Sequence, residues 1–295
     1  MRIAVLGAGT MGQGIAAVMA AASHEVTVVD AVDRIEGCVT AVRDRARRHG
    51  GDVTGTIGGT HDLGAAVRGA EVVFEAVPEQ LPLKLEVLAG VSENAAPAAI
   101  VATNTSSLPL DRLAGALSHP SRFLAAHFFN PAETIPGVEV AGTEQTDPEV
   151  TATLVALLRS AGKEPIEVGS CVGFVANRLQ LALFREALAC VEEGVITAED
   201  LDILVRRTIG VRLPAFGPFA VADMAGLDVY HAIFTVLHEA YGERFEVPPM
   251  VSRLVEDGRL GVKSGAGFLN YTADELRELT ARRDVLYKRL LEAAS

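Results

Sequence analysis

A histidine and a glutamate in one short stretch could together carry out acid–base chemistry. His127 and Glu139 bracket most of HFFNPAETIPGVEV, residues 127–140, and Glu139 lies between two valines. A carboxylate in an apolar run costs free energy unless it has a partner. Hydrogen-bonded to one imidazole nitrogen, it fixes the tautomer, stabilises the imidazolium and leaves the other nitrogen for a substrate. The pattern predicts His127 as a general base oriented by Glu139. The alternative is a surface glutamate on an edge strand and a histidine buried for structural reasons.

The two side chains can meet only if the intervening segment loops out and returns as a strand. His127 ends a predicted strand, Phe123–His127, and Gly137–Val140 is predicted as the next strand. In open α/β sheets, ligands bind outside the carboxyl ends of the strands, where His127 would lie.

The first thirty residues have the order strand, glycine turn, helix, strand and acidic residue. Gly7, Gly9 and Gly12 form GxGxxG, and Asp30 follows the second predicted strand. These glycines would allow a sharp turn, the approach of a pyrophosphate and close helix–sheet packing. Asp30 would accept hydrogen bonds from a ribose diol and repel a 2′-phosphate, which favours NAD over NADP. The alternative is a glycine-rich turn in some other α/β protein.

The alternation of strands and helices continues to about residue 169 and then gives way to helical periodicity. It predicts a Rossmann-type, doubly wound α/β sheet in an NAD-binding domain, residues 1–169. An all-α domain, residues 170–295, would follow and contribute to the substrate cleft and to dimerisation. Further strands are predicted at 71–76, 99–102 and 165–168, and helices at 81–88, 108–117, 147–160, 171–193, 197–208, 222–241, 248–257 and 273–293.

Composition narrows the function classes. A net charge of -12 and a pI of about 5.1 argue against nucleic-acid binding, which needs clustered cations. Cys38, Cys171 and Cys190 have neither the spacing of a metal site nor that of a disulfide framework. No signal peptide or membrane span is predicted. We therefore expect a reduced, cytoplasmic protein without a metal.

Several motifs resemble those of the L-3-hydroxyacyl-CoA dehydrogenase family, including the short bacterial 3-hydroxybutyryl-CoA dehydrogenases. The resemblance runs through most of the chain. Its motifs are GAGTMGQGIA (7–16), EAVPEQLPLK (75–84), TNTSSL (103–108), HFFNP (127–131), VEV (138–140), GFVANRL (173–179), GPFAVADMAGLD (217–228) and GVKSGAGF (261–268).

The resemblance implies roles for individual residues. His127 would be the general base and Glu139 its partner, Ser106 and Asn177 would contact the substrate, and Asn130 would line the site. The positions implied to bind NAD are Gly7, Gly9, Thr10, Met11, Gly12, Asp30, Glu79, Lys84, Asn104 and, near the nicotinamide end, Lys263.

Three of these residues also have simpler interpretations. Asn177 could be a helix-surface residue, and Ser106 could cap a helix that starts near Leu108. Lys84 could be a solvated helix cation.

Two segments depart from the family. Relatives typically have a longer, lysine-bearing helical hairpin after the residue corresponding to Asp30, which helps bind coenzyme A. Here RDRARRHGGDVTGTIGG, residues 43–59, replaces its second part. The arginines of this segment, Arg43, Arg45, Arg47 and Arg48, would either meet phosphates or an acyl carrier protein, or form a solvated face. The second departure, ETIPG before VEV, is more like enzymes that oxidise small free hydroxy acids.

The sequence thus predicts an NAD-dependent dehydrogenase that oxidises the 3-hydroxyl of a 3-hydroxyacyl thioester, CoA-linked, in a homodimer as in the family. The alternatives are a carrier-protein-bound hydroxyacyl group, a small free hydroxy acid, or an NAD-binding structural protein. The joint presence of His127, Glu139, Ser106 and Asn177 argues against the structural protein, which would have no physical need for all four.

Overall fold

The first half of the chain is built on one sheet of eight strands in the computed structural model, which describes residues 1–50, 53 and 55–293. The strands are β1 (Arg2–Leu6), β2 (Glu25–Val29), β3 (Ile57–Thr60), β4 (Val72–Glu75), β5 (Ile100–Thr103), β6 (Phe123–Phe128), β7 (Gly137–Gly142) and β8 (Glu164–Glu167). Their order is β3-β2-β1-β4-β5-β6-β7-β8. All neighbours are parallel except β6 and β7. The predicted Rossmann-type, doubly wound sheet is confirmed.

Thirteen α-helices lie among the described residues. They are α1 (Thr10–Ala21), α2 (Val32–Gly50), α3 (Leu63–Val67), α4 (Leu81–Asn94), α5 (Leu110–Ala114), α6 (Pro148–Ser160), α7 (Phe174–Glu192), α8 (Ala198–Arg207), α9 (Ile209–Arg212), α10 (Pro218–Ala225), α11 (Leu227–Tyr241), α12 (Pro249–Glu256) and α13 (Ala273–Ala293). Short 3₁₀ turns occupy Pro120–Arg122, Gly242–Phe245 and Val262–Ser264.

The sheet separates two apolar cores, and the pleat assigns side chains to them in turn. In β1, Ile3 and Val5 join the core on one face, whereas Ala4 and Leu6 join the core on the other. Because helices cover both faces, β4 and β6 are buried along their whole length. The continuous apolar runs that predicted these strands follow from this double burial.

The chain divides into two compact units, Met1–Leu183 and Phe184–Ser295. The division falls inside α7. The sheet belongs to the first unit and all helices after α7 to the second, which is the all-α part that the sequence predicts. The predicted domain boundary at residue 169 lies before α7 and stays a prediction.

Several elements differ from the sequence-based expectation. The helix predicted over 222–241 is in fact two helices, because Gly226 takes φ +102° between α10 and α11. The long helix expected from Cys171 begins at Phe174. No element was predicted for α2, β3 or α3. Part of the segment 43–59, namely Gly51, Asp52 and Thr54, lies outside the described residues.

Among the described residues, no single helix has both the length and the apolar composition to cross a membrane. One helix pair, Pro218–Ala225 with Leu227–Phe245, meets the length and composition criteria together and is bent by 96°.

Candidate active site

His127 and Glu139 face each other across the antiparallel pair β6–β7. They are register partners, so their side chains leave the sheet on the same face. The Nδ1 of His127 lies 2.9 Å from Oε2 of Glu139. Both residues are almost fully buried, with 4% and 5% of their surface exposed. Glu139 is therefore not a surface residue, and β7 is not an edge strand, since β8 covers its other side.

The second carboxylate oxygen of Glu139 is held by the start of α7. Oε1 accepts hydrogen bonds from the backbone N–H groups of Val175 and Ala176, each at 2.9 Å. Both N–H groups belong to the first helical turn, so they have no partner within the helix, and the helix dipole there favours a negative charge. One oxygen is thus fixed by backbone, and the other is aimed at the imidazole.

Phe174 covers the imidazole of His127 and does so from a strained backbone position. Its φ is +49°, which non-glycine residues rarely adopt, and Gly173 before it has φ +78°. The Phe174 ring is buried and stacks on the imidazole at 5.1 Å between centroids, and Phe129 lies 4.7 Å from it on a tilted plane. No described residue hydrogen-bonds the other ring nitrogen, Nε2, so this nitrogen is free for a ligand. Phe174 was not predicted as a site residue from the sequence, and Gly173 before it is the local signal.

The structure brings Ser106 and Asn177 together. The side-chain amide of Asn177 donates to the backbone oxygen of Ser106 at 3.2 Å. The helix that Ser106 was considered to cap, α5, begins at Leu110 without a side-chain cap, so that alternative is wrong. Asn177 is half-buried rather than on an exposed helix surface. Asn130 follows β6 and is exposed, and its role stays a prediction.

Glu79 organises the loop that carries Ser106. Its Oε1 accepts hydrogen bonds from the Thr105 hydroxyl at 2.7 Å, from the Ser106 and Ser107 N–H groups at 2.9 Å each, and from the Ser107 hydroxyl at 3.1 Å. Burial raises the pKa of Glu79, but the Thr105 hydroxyl, the Lys84 ammonium and the two N–H groups outweigh it and lower the pKa overall. Glu79 is therefore ionised and ties the turn after β4 to the loop after β5.

Lys84 is a buried ion-pair partner and not a solvated cation. Its side chain is 1% exposed, and Nζ lies 2.7 Å from Oε1 of Glu75 and 3.5 Å from Oε2 of Glu79. The other oxygen of Glu75 accepts a hydrogen bond from the Thr103 hydroxyl at 2.6 Å. Glu75 was not predicted as a site residue from the sequence, although a carboxylate directly after the apolar run VVF, residues 72–74, is a signal of a paired, buried charge.

A cavity of about 670 Å³ lies at the carboxyl ends of β1, β2, β4 and β5. Most of the residues predicted to bind the cofactor line it, namely Gly7, Gly9, Thr10, Met11, Asp30, Glu79 and Asn104, whereas Gly12 and Lys84 do not. The volume and the lining fit a dinucleotide at the N-terminus of α1.

The glycines of GxGxxG differ in what they permit. Gly7 has φ +101°, and a Cβ there would meet the backbone of Ala76. A Cβ on Gly12 would overlap the oxygen of Gly7, so Gly12 allows α1 to pack closely on the turn. Nothing lies within 4 Å of a Cβ on Gly9, which leaves room for a ligand.

Asp30 closes the turn around these glycines. Its Oδ2 accepts from the Ala8 N–H at 2.7 Å and its Oδ1 from the Ala31 N–H at 2.6 Å. The carboxylate keeps lone pairs free toward the cavity that it lines. Asn104, also at this edge, accepts a hydrogen bond from the Phe128 N–H at 2.8 Å and so ties β5 to β6.

In the second unit, the motifs at 217–228 and 261–268 come together. Asp223 is 1% exposed and accepts from the N–H groups of Phe268 and Leu269 and from the Tyr271 hydroxyl, at 2.9–3.0 Å. Burial and the neighbouring Asp223 raise the pKa of Tyr271. Lys263 forms an ion pair with Asp228. Asp223 was not predicted as a site residue from the sequence, and the cofactor role of Lys263 stays a prediction.

The arginines of α2 do not form one solvated cluster. Arg45 is turned inward, where Nη1 lies 3.3 Å from the Thr10 oxygen and 3.4 Å from Oε1 of Glu133. Arg43, Arg47 and Arg48 are exposed. Among the described residues, no three His, Cys, Asp or Glu side chains are grouped so as to hold a metal ion.

Comparison with known proteins identifies the family. Residues 2–171 match the NAD binding domain of 3-hydroxyacyl-CoA dehydrogenases, and residues 173–271 match their C-terminal domain. The chain belongs to the 3-hydroxyacyl-CoA dehydrogenase family. As a member of this family, it is an NAD-dependent oxidoreductase that acts on CH–OH groups, and the predicted cofactor, NAD, is confirmed.

Individual relatives of the family differ in their substrates. A 5-formyl-3-hydroxy-2-methylpyridine 4-carboxylate 5-dehydrogenase from Mesorhizobium japonicum is 37% identical over 98% of both chains. A probable 3-hydroxybutyryl-CoA dehydrogenase from Deinococcus radiodurans is 34% identical over 92% of this chain and 100% of its own. The crystal structure of a 3-hydroxyacyl-CoA dehydrogenase from Archaeoglobus fulgidus has a TM-score of 0.83 and 32% identity, and covers 98% of this chain and 99% of that chain.

Proposed function

We propose that this dehydrogenase oxidises the 3-hydroxyl of a 3-hydroxyacyl thioester, CoA-linked, to the 3-keto form, and that it runs in both directions. The observation that carries the proposal is the buried pair of His127 and Glu139, joined at 2.9 Å with Nε2 of His127 free. A base of this kind, at the edge of a dinucleotide-binding sheet, is what alcohol oxidation requires.

In the oxidative direction, Nε2 of His127 takes the proton of the substrate hydroxyl as hydride leaves the same carbon. NAD, when bound, accepts that hydride. Glu139 keeps the proton of the neutral imidazole on Nδ1 and stabilises the imidazolium that forms. Because Glu139 is itself held by two backbone N–H groups of α7, it cannot turn away as charge develops. In reverse, protonated His127 gives its proton to the keto oxygen.

Ser106 and Asn177 position the substrate in this proposal. Their side chains are neutral, short and able to donate hydrogen bonds, so they can hold a hydroxyl or a thioester carbonyl without adding charge. The contact between the Asn177 amide and the Ser106 oxygen makes the two act as one surface. Asn130, next to the two phenylalanines after His127, would line the same site.

The decisive test is oxidation of NADH by acetoacetyl-CoA, followed by absorbance. We expect turnover by the native chain and a loss of about 10²–10⁴-fold in His127→Gln, the range that general bases contribute. His119→Gln serves as the matched control, because His119 is exposed and lies at the start of a 3₁₀ turn outside the site. Near-native turnover in His127→Gln would refute the assigned base.

A second candidate substrate class is a small, free carboxylate without a thioester. The observation that favours it concerns α2, which runs as one helix to Gly50 in the place where relatives typically have the hairpin that helps bind coenzyme A. Its Arg45 is paired with Glu133 and so is already engaged. The Mesorhizobium relative is named for a formyl pyridine carboxylate. A formyl group adds water to give a CH(OH)₂ carbon. The same base could take a hydroxyl proton from this carbon's diol while the hydride passes to NAD⁺, when bound, and the product is the carboxylic acid.

Four substrates separate these classes: acetoacetyl-CoA, the same acyl group on an acyl carrier protein, free acetoacetate, and 5-formyl-3-hydroxy-2-methylpyridine 4-carboxylate with NAD⁺. Preference for the CoA ester supports the main proposal. Preference for the carrier-linked ester would assign the exposed arginines of α2 to a protein partner. Turnover of a free acid alone would establish the second candidate. NADH binding without turnover of any of them would favour a structural role.

We further propose that the protein is a homodimer, as the resemblance implies, and that it is cytoplasmic, as its cysteine pattern suggests. Large apolar side chains of α7, such as Leu179, Leu181 and Phe184, are exposed in the single chain. Light scattering behind size exclusion should give twice the chain mass of 31.0 kDa, and a monomer at micromolar concentration would refute the dimer.

A further inference from the structure

One buried cation of the first unit has no part in the mechanism above. Lys163 lies in the turn between α6 and β8 and is 4% exposed. Burying an ammonium group is unfavourable unless the group is hydrogen-bonded or paired with an opposite charge. A lysine in such a position therefore serves a specific contact.

That contact is with the loop that joins the two catalytic strands. The Nζ of Lys163 donates to the backbone oxygen of Ala132 at 2.5 Å and to that of Ile135 at 3.0 Å. Within the loop, the N–H groups of Thr134 and Ile135 both bond to the Pro131 oxygen. The ammonium thus bridges the carbonyls of Ala132 and Ile135, which the hydrogen bonds within the loop leave unpaired, and it orients both of them.

Charges around the loop match this arrangement. Burial lowers the pKa of Lys163, and the negative charge of Glu133 partly opposes this shift. Glu133 lies between Ala132 and Ile135 in the sequence of the loop. Glu133 is also paired with Arg45 on α2. The loop is consequently tied to the turn before β8 by Lys163 and to α2 by Arg45.

The loop, residues 130–136, begins three residues after His127 and ends three residues before Glu139. We propose that Lys163 is a positioning residue for catalysis: it fixes this loop and through it the approach of Glu139 to His127 and the place of Asn130. The inference rests on the proposed role of His127 as the base. It assigns no contact between Lys163 and substrate.

The test compares Lys163→Met, Lys163→Arg and the native chain. Methionine keeps much of the length and removes both hydrogen bonds, whereas arginine keeps donors. We expect kcat to fall about tenfold or more in Lys163→Met, which is the loss typical when a residue that holds functional groups in place is replaced. Lys163→Arg should recover part of it. The Kd for NADH should stay within twofold, because the glycine turn and Asp30 are held by other contacts. Lys288→Met, at an exposed lysine of α13, is the matched control.

A second readout does not depend on the substrate. The imidazole N–H of His127 that bonds Glu139 should give a downfield proton resonance, assigned by its absence in His127→Gln. Lys163→Met should shift or broaden this resonance. If the native chain turns over none of the test substrates, the resonance still tests the role of Lys163. A failure of the proposed function can therefore be distinguished from a failure of this inference.

The inference is overturned if Lys163→Met keeps kcat and KM within twofold and leaves the resonance unchanged. It is also overturned if activity falls only in proportion to the folded fraction measured by NADH binding. Should Lys163→Met fail to fold, Lys163→Gln, which retains a donor group, is judged by the same two readouts.

Discussion

Two carboxylates of the first unit, Glu139 and Glu79, are hydrogen-bonded in a similar way and act on different parts of the site. In each, one carboxylate oxygen accepts hydrogen bonds from backbone N–H groups and the other oxygen points toward a basic side chain. Glu139 projects from a strand, and sheet register places it opposite His127. Glu79 lies in a turn, and its partners are three consecutive residues of another loop.

The two arrangements allow the two carboxylates to control different groups. A side chain fixed by register orients a single neighbouring side chain, here the base, so its loss should lower kcat. A side chain between two loops orients backbone, here the segment that carries Ser106, so its loss should raise KM. Exposure follows the same division, since the side chain of Glu139 is 7% exposed and that of Glu79 is 36% exposed.

The largest effect is expected from Glu139→Gln. The glutamine amide can present N–H to Nδ1 of His127 and favour the tautomer whose proton lies on Nε2, which cannot act as a base. We expect kcat to fall about 10²–10³-fold, within the range of general-base contributions. Steady-state kinetics should show KM nearly unchanged. A large rise in KM with kcat preserved would place Glu139 in substrate binding and remove the contrast with Glu79.

The next effect concerns stability and the buried cation beside Glu79. Lys84→Met should destabilise the fold by about 3–5 kcal/mol, because it leaves the fully buried Glu75 without its cation. Urea unfolding followed by circular dichroism measures the loss, with Lys288→Met as the exposed control. The double variant Glu75→Gln/Lys84→Met should regain part of it. A cost below about 1 kcal/mol, typical of surface pairs, would contradict the burial of this pair.

Glu79→Gln should have a smaller effect, confined to substrate binding. The glutamine oxygen can keep some of the four hydrogen bonds, but charge assistance is lost, which costs about 1–2 kcal/mol. We expect KM to rise about tenfold and kcat to change little, since each 1.4 kcal/mol is tenfold. A fall in kcat as large as that of Glu139→Gln would show that Glu79 acts on the base.

The stability of the native chain and that of Glu79→Gln should depend differently on pH. The pKa of Glu79 in the folded chain lies below its ordinary value of 4.5. Its ionised form therefore contributes stability that is fully present above about pH 4.5 and is lost as pH falls through the folded pKa. The difference in Tm between the native chain and Glu79→Gln should be largest near pH 6–7 and shrink below pH 4.5. A difference that grows in acid would have the opposite sign and refute the lowered pKa.

The sequence could predict the His127–Glu139 pair because both residues lie on predicted strands, and alternation along a strand determines which face a side chain takes. The glycine turn was predictable for a similar reason, since its order along the chain is local. Glu75–Lys84 and Lys163 were not, because their partners depend on packing between elements far apart in sequence. Lys84, read from the sequence, could equally have been a solvated helix residue.

The unpredicted elements have a physical reason as well. β3 contains Gly58 and Gly59, which have low strand propensity, and its place comes from pairing with β2. α2 is rich in arginine and has few apolar residues, so its buried face, which includes Cys38, Val42 and Ala46, is narrow in the sequence pattern. In both cases tertiary contacts outweigh the local signal.

The smallest effect extends the comparison to a third carboxylate, Glu133. Its partner Arg45 is one of the four arginines for which the sequence left phosphates, an acyl carrier protein and a solvated face as alternatives. Arg45→Met should change KM for an acyl-CoA by less than twofold, because the guanidinium is already engaged by Glu133 and the Thr10 oxygen. Its cost in stability should be about 0–1 kcal/mol, as for other partly exposed pairs. Arg47→Met, at an exposed arginine of the same helix, is the control. A tenfold rise in KM for Arg45→Met alone would mean that the substrate's phosphates displace Glu133, and would make α2 part of the binding site.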